Sequence, residues 1–331
     1  MTSQRPVAAV VWAPEGDRTQ QFAERLDAEL YCIHYLEFQR PILAPIKYVP
    51  QFVKTLTSLY TQHARVVYVT NPPVFAVLSV WFYCLLTGST YIMDTHSPAL
   101  YSRRWAWATP LQRALARRAR LNIIDQERFR RLFESWGADA IILEKPLKEL
   151  PRRAPPSRDG PFEITVVNIF AADEPLQPIL DAARDLPGVR FYILGDTRRA
   201  AASLLAVAPA NVTFTGWLHQ DAYWQRLQAS HAVMALTTYP HSLLAGGHDG
   251  VAVERPLLLS DQPALTAYFT GGALFVDNTA AGIAAAVREM QATYPELRQQ
   301  VIELRHEKQA HWQEEFSVLR AVGDELVGSE E

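Results

Sequence analysis

Five prolines fall between residues 146 and 161: Pro146, Pro151, Pro155, Pro156 and Pro161, with Gly160 and basic residues among them. Proline lacks a backbone donor and fixes φ, so this stretch holds neither a helix nor a central strand. It reads as a linker. On both sides the same rhythm repeats, with short β-branched runs alternating with helical patterns. Before it, Val7–Val11, Leu30–Ile33, Arg65–Val69, Tyr91–Met93, Leu121–Ile124 and Ala140–Leu143 read as strands. After it, Glu163–Asn168, Arg190–Leu194, Val212–Thr215, Ala232–Leu236, Pro256–Leu259 and Ala273–Val276 do so again. Strands alternating with helices predict parallel, doubly wound α/β sheets. The expected division is a first domain over residues 1–148, a linker over 149–161, a second domain over 162–294 and a charged helical segment over 295–331. A chain of 331 residues has room for two such cores.

The net charge of −3 gives no bulk attraction to nucleic acid, and no nucleic-acid motif is present. Cys32 and Cys84 sit in apolar runs and read as buried free thiols, which fits a reducing, cytoplasmic setting. No signal peptide is visible at the N-terminus. Val74–Thr87 carries no charge, but it falls short of the roughly 20 residues a membrane span needs. It reads as a buried helix or one that partly faces a membrane. The nine histidines show no zinc spacing.

Residues Asn211 to Met290 carry the densest pattern. Thr215-Gly-Trp-Leu follows one strand, and Gly246-Gly-His-Asp-Gly opens a short helix after another. Paired glycines let backbone N–H groups approach a diphosphate at a helix N-terminus, where the helix dipole favours negative charge. A plain turn is the competing reading of such a glycine pair. Taken together, the stretch resembles the nucleotide-sugar half of glycosyltransferases of the GT-B architecture, in which two Rossmann-like domains face a cleft. The likeness is to the glycogen-synthase-like and mannosyltransferase group with altered signature acids. His241 stands where that group has its first Glu, and Asp249 where it has the second. The changed acids turn the expectation from a retaining to an inverting course.

The resemblance implies donor contacts from Glu174, Gly195, Gly216, Trp217, Leu218, His241, Gly246, Gly247, His248 and Asp249. For Trp217, core packing is the competing reading. For Asp173, in the same loop as Glu174, a helix cap before Pro175 is a sufficient role. In the first domain, Asp94-Thr-His-Ser follows a strand whose carboxyl end lies where open parallel sheets bind ligands. Asp94 or His96 is then the base that takes the acceptor hydroxyl proton, with Glu15 or Asp17 as alternatives after the first strand. An Asx turn at Asp94 and a helix cap at Asp17 are the bland readings.

The implied activity moves a sugar from a nucleotide-sugar to a glycan or polyprenyl-linked acceptor, with no cofactor and no metal. A catalytically silent partner subunit of another transferase, and an epimerase or hydrolase on the same fold, are the alternatives. Arg103, Arg104, Trp105 and Trp107, followed by Arg113, Arg117, Arg118 and Arg120, suit an anionic membrane surface or a pyrophosphate-linked acceptor. Nucleic acid is a third reading of residues 103–120, though no binding motif accompanies the charge, and a solvated helix face is the bland one.

Overall fold

The computed structural model describes residues 6–14, 16–35, 44–151, 153–154, 156–157 and 159–328. The chain forms two compact units, Met1–Pro146 with His311–Glu331, and Leu147–Ala310.

The first unit carries a six-stranded sheet of β1 (Val7–Val11), β2 (Glu29–Cys32), β3 (Val66–Asn71), β4 (Thr90–Thr95), β5 (Leu121–Ile124) and β6 (Ala140–Ile142), in the order 2-1-3-4-5-6. Every pairing is parallel. The helices between them are α1 (Asp17–Arg25), α2 (Ala44–Gln62), α3 (Val74–Thr87), the single turn α4 (Pro98–Tyr101), α5 (Thr109–Ala116) and α6 (Glu127–Trp136). All six residues of β3 are buried, as a central strand covered on both faces requires. One face packs Val67, Val69, Tyr91 and Met93 under α3, α5 and α6. The other packs Ala9, Tyr68, Ile92 and Ile123 with Phe22 of α1.

The second unit repeats the plan with β7 (Phe162–Val166), β8 (Val189–Leu194), β9 (Val212–Gly216), β10 (Ala232–Ala235), β11 (Leu257–Ser260) and β12 (Ala273–Val276), in the order 12-11-10-7-8-9. This sheet is also parallel throughout. Its helices are α7 (Leu176–Arg184), α8 (Ala202–Ala206), α9 (Gln220–Gln228), α10 (Ala245–Ala252), α11 (Pro263–Tyr268) and α12 (Ala280–Ala292). The last helix, α13 (Tyr294–Gly328), belongs to both units in turn. Val301 and Leu304 enter the core of the second, Phe316 and Leu319 that of the first.

Several local expectations shift. Helix α2 begins at Ala44 and carries Pro50 inside it on an exposed position. Gly137 closes α6 at φ 72°, where a residue without Cβ is favoured. Cys84 is buried, and burial pushes its thiol up to about 12. Cys32, expected inside, is exposed, because β2 is an edge strand. The proline-rich segment is not free along its length. Leu147 and Leu150 pack on the second core, Gln228 donates to the Pro151 carbonyl at 2.9 Å, and Arg255 donates to the carbonyls of Arg153 and Ala154. Among the described residues no helix is long and apolar enough to cross a membrane.

Candidate functional site

In the first unit, chain reversal between β1 and β3 puts the switch point of the sheet at the carboxyl ends of these two strands, with β4 next to β3. Asp94 pairs in register with Thr70, so Tyr68, two residues back on β3, lies on the same face. Asp94 belongs to the strand itself rather than to the loop after it, and it is fully buried. Arg18 of α1 grips it bidentately, Nε to Oδ2 at 3.0 Å and Nη2 to Oδ1 at 2.8 Å. The Tyr68 hydroxyl donates to Oδ2 as well. Burial alone would raise the Asp94 carboxyl, but Arg18, then His96 and Tyr68, hold it well below the usual carboxylate range. Burial also works against the Arg18 charge, and Asp94 overcomes that, leaving the guanidinium raised. A carboxylate so fully engaged does not collect protons from a substrate.

His96 follows at the end of β4, with its side chain about a third exposed. Its Nε2 lies 3.1 Å from Asp94 Oδ2. Asp94 accepts only, so the neutral ring carries its proton on Nε2 and presents Nδ1 as the acceptor. Asp94 and His96 are therefore brought together with separate roles, the first orienting the second. Glu15 lies outside the described residues. Asp17 is the first residue of α1, whose N-cap is Gly16 rather than Asp17.

In the second unit the sheet reverses between β7 and β10, and the loops after these strands flank the switch point. The segment Gly246–Gly250 lies within α10 and is not a loop. A Cβ on Gly246 would fall 2.7 Å from the Cβ of Val167 and 2.9 Å from that of Ala235. The missing side chain thus seats the first turn of α10 directly over β7 and β10. Gly247 turns to the Phe269 ring and Gly250 to Leu257 and Val233 in the same way. The glycines expected to cradle phosphate serve helix-on-sheet packing. The N-terminus of α10 remains, capped by no side chain at Leu244. The N–H groups of Ala245 and Gly246 lack intrahelical partners, and Gly246 lies against Val167 and Ala235, at the ends of the strands that flank the switch point.

The other expected donor residues scatter around this centre. Glu174 turns inward: its Oε2 accepts the N–H groups of Ile169 at 2.8 Å and Ala171 at 3.0 Å, closing the loop after β7. Burial raises its carboxyl against those bonds. Gly195 has φ 122°, and a Cβ there would meet the Asn168 carbonyl oxygen at 2.2 Å, so this glycine is a packing necessity. Gly216 ends β9 at φ 73°. Trp217 is 67% exposed and does not pack in the core, whereas Leu218 packs against it. His241 is exposed ahead of α10. His248 Nδ1 lies 3.4 Å from the Tyr268 hydroxyl. Asp249 accepts from the Tyr223 hydroxyl of α9 at 2.5 Å, so the acid standing at the second signature position pins α10 to α9. Burial, then Asp249, raises the Tyr223 hydroxyl.

The solved structures similar to this chain share this arrangement of two sheets. HepE of Anabaena, solved with UDP and glucose, superposes with a TM-score of 0.70 over 95% of this chain and 99% of its own, at 11% identity. A sucrose-phosphate synthase from Thermosynechococcus elongatus reaches 0.73 over 98% and 99%, at 12% identity. A putative UDP-N-acetylglucosamine 2-epimerase from Listeria monocytogenes reaches 0.64 over 89% and 90%, at 10% identity. The chain has the GT-B fold. No protein-family model matches the sequence, and no curated protein matches it.

Within this GT-B fold, sequence reading passed over the residues that hold the sites in place. Arg18 and Tyr68 went unassigned, although period-two alternation along β3 and β4 puts Tyr68 and Asp94 on one face. A polar chain along the carboxyl edge of the second sheet was also missed. Asp173 accepts from the Thr237 hydroxyl at 2.6 Å, Ser260 accepts from the Thr237 N–H at 2.8 Å, and Asn278 donates to the Thr237 carbonyl at 3.0 Å. Asp173 therefore ties β7 to β10 and does not cap α7, whose N-cap is Pro175.

Proposed function

We propose that this protein transfers a sugar from a nucleotide-sugar to a glycan or polyprenyl-linked acceptor, without a metal and with inversion at the anomeric carbon. The observation that carries the reading is the uncapped N-terminus of α10, fixed over the switch point of the second sheet by Gly246. Backbone N–H groups so placed neutralise the charge that grows on a departing nucleoside diphosphate. HepE was solved with UDP and with UDP-glucose, which supports a nucleotide-sugar as the ligand here. Trp217, exposed at the end of β9, offers its indole face to the base. In the first unit, His96 Nδ1 takes the proton of the acceptor hydroxyl. The oxygen attacks the anomeric carbon as the bond to diphosphate breaks, and Asp94 steadies the imidazolium that forms. The arginines of residues 103–120 are proposed to meet an anionic membrane where the acceptor resides.

The test begins with thermal shift against UDP, GDP, dTDP, ADP and CMP, with EDTA and with magnesium. One nucleotide should raise the melting temperature selectively in EDTA, by mass action. With the matching nucleotide-sugar, an acceptor should accelerate diphosphate release. His96→Gln should abolish that acceleration and leave the thermal shift intact. A folded protein that responds to none of the nucleotides would sink the proposal, and sugar interconversion without acceptor would replace it with epimerisation.

A further inference from the structure

Charge is segregated along this chain. Between Glu37 and Asp125 there are ten Lys or Arg and a single acid, Asp94, while the rest of the chain holds 22 Lys or Arg against 34 Asp or Glu. Asp94 is fully buried on Arg18, so no acid of that segment reaches the surface. The segment includes α2, α3 and α5 of the first unit. These pack side by side. Phe52 meets Phe82 at 6.0 Å between ring centres, Phe75 meets Trp107 at 6.0 Å, and the Arg118 guanidinium lies 6.0 Å from the Trp81 ring.

The outer side of this layer is apolar where water should favour polar groups. On α2, Ile46 and Val49 are each 67% exposed, and Val53 continues their stripe one turn on. The last turn of α3 exposes Leu85 at 63% together with Leu86, and at the other end of α3 Trp107, 61% exposed, stands beside Phe75. Arg103, Arg104, Arg113 and Arg118 of the same segment are exposed, Arg104 over the Trp105 ring and Arg118 over that of Trp81. Grouped apolar exposure of this kind marks an interaction surface.

We infer that this face docks the first unit on an anionic phospholipid bilayer, with Ile46, Val49, Leu85, Leu86 and Trp107 entering the headgroup boundary and the arginines on lipid phosphates. Aliphatic side chains beside Trp and Arg fit that boundary. A second copy fits poorly, because a two-fold contact would press two acid-free basic faces together. Nucleic acid would pair with the arginines and leave the aliphatic stripe in water. The inference deepens the proposed function and rests on it only for purpose: docking brings the first unit to a lipid-borne acceptor.

The experiment uses the full chain with no donor or acceptor, so its failure is separate from failure of the transfer reading. Co-sedimentation is measured with phosphatidylcholine vesicles, with and without phosphatidylglycerol, at low and high salt. Association should require phosphatidylglycerol and weaken with salt. R103Q/R113Q/R118Q should lower the partition coefficient on the order of a hundredfold. L85S/L86S should lower it at least about tenfold. Brominated lipid should quench Trp fluorescence, and W107F should remove most of that quenching. All these positions carry exposed or half-exposed side chains, and unchanged melting curves verify folding. Failure to bind phosphatidylglycerol vesicles, equal binding to neutral vesicles, or binding indifferent to both variant sets overturns the inference. A dimer in light scattering that L85S/L86S dissolves overturns it in favour of self-association.

Discussion

Replacing Arg18 by Met tests whether Asp94 is an anchored charge that orients His96. The substitution keeps much of the aliphatic bulk and removes both bonds to the carboxylate, as well as the bond to the Leu143 carbonyl. Asp94 would then be a fully buried charge holding only Tyr68 and His96. Breaking a buried pair from one side costs ~3–5 kcal/mol. The sign of the pH dependence is specific. In the native protein the Asp94 carboxyl is depressed, so its stabilisation is complete above the unfolded carboxylate value of about 3.9 and is lost only as pH falls through the depressed value. In the variant, burial dominates and raises the carboxyl, so the penalty is greatest at neutral pH and eases as the group takes up a proton. The gap between native and variant should therefore narrow toward acid by up to ~1.4 kcal/mol per pH unit. R18M/D94N should recover part of the loss. Urea unfolding followed by Trp fluorescence is the assay. Six of the eight tryptophans (Trp12, Trp81, Trp105, Trp107, Trp136 and Trp312) lie in the first unit, so its transition dominates the signal, with Trp217 and Trp224 reporting the second if the units unfold separately. A gap below ~1 kcal/mol, or one that stays constant from about pH 7 to about pH 5, would refute the reasoning.

Three further outcomes are expected. Gly246→Ala should destabilise the second unit, because a Cβ within 2.9 Å of two strand Cβ atoms cannot be relieved by a rotamer change, and overpacking of ~1–3 kcal/mol exceeds the ~1 kcal/mol that Ala gains in a helix; a higher melting temperature would contradict this. Trp217→Ala should weaken binding of the preferred nucleoside diphosphate by roughly tenfold, about 1.4 kcal/mol, in calorimetry without changing stability, and unchanged affinity would remove Trp217 from the site. Arg255→Met should cost at least ~3 kcal/mol and speed tryptic cleavage after Arg153, since the fully buried guanidinium holds the carbonyls of Gln228 at 2.7 Å and Ser230 at 2.8 Å as well as those of Arg153 and Ala154; an equally stable, equally resistant variant would contradict it.

The two sheets were legible because burial writes them into the sequence: β3, β10 and β11 are apolar runs, and runs buried on both faces mean parallel strands. The place of Asp94 and His96 at the carboxyl end of β4 was legible. The ion pair that holds Asp94 was not, because Arg18 comes from a helix 76 residues away, and that pairing exists only once β1 and β4 share a sheet. Glu174 misled for the opposite reason. Its contacts are local backbone N–H groups, and a local carboxylate looks the same in sequence whether it closes its own loop or waits for a ligand.

The glycines of α10 answer to packing. Gly246, Gly247 and Gly250 each face an atom closer than a Cβ tolerates, from Val167, Phe269 and Leu257 in turn. Their spacing follows from a helix pressed onto β7, β10 and β11, whatever that helix binds. The polar residues around them are under no such demand: His241 is exposed, and Asp249 accepts from Tyr223. Close packing keeps the N-terminus of α10 in one place, and the exposed residues around it are left to set the ligand. Specificity in this protein should therefore follow substitutions at Trp217, Tyr239 and His241, which are all exposed, and not substitutions within the glycine segment.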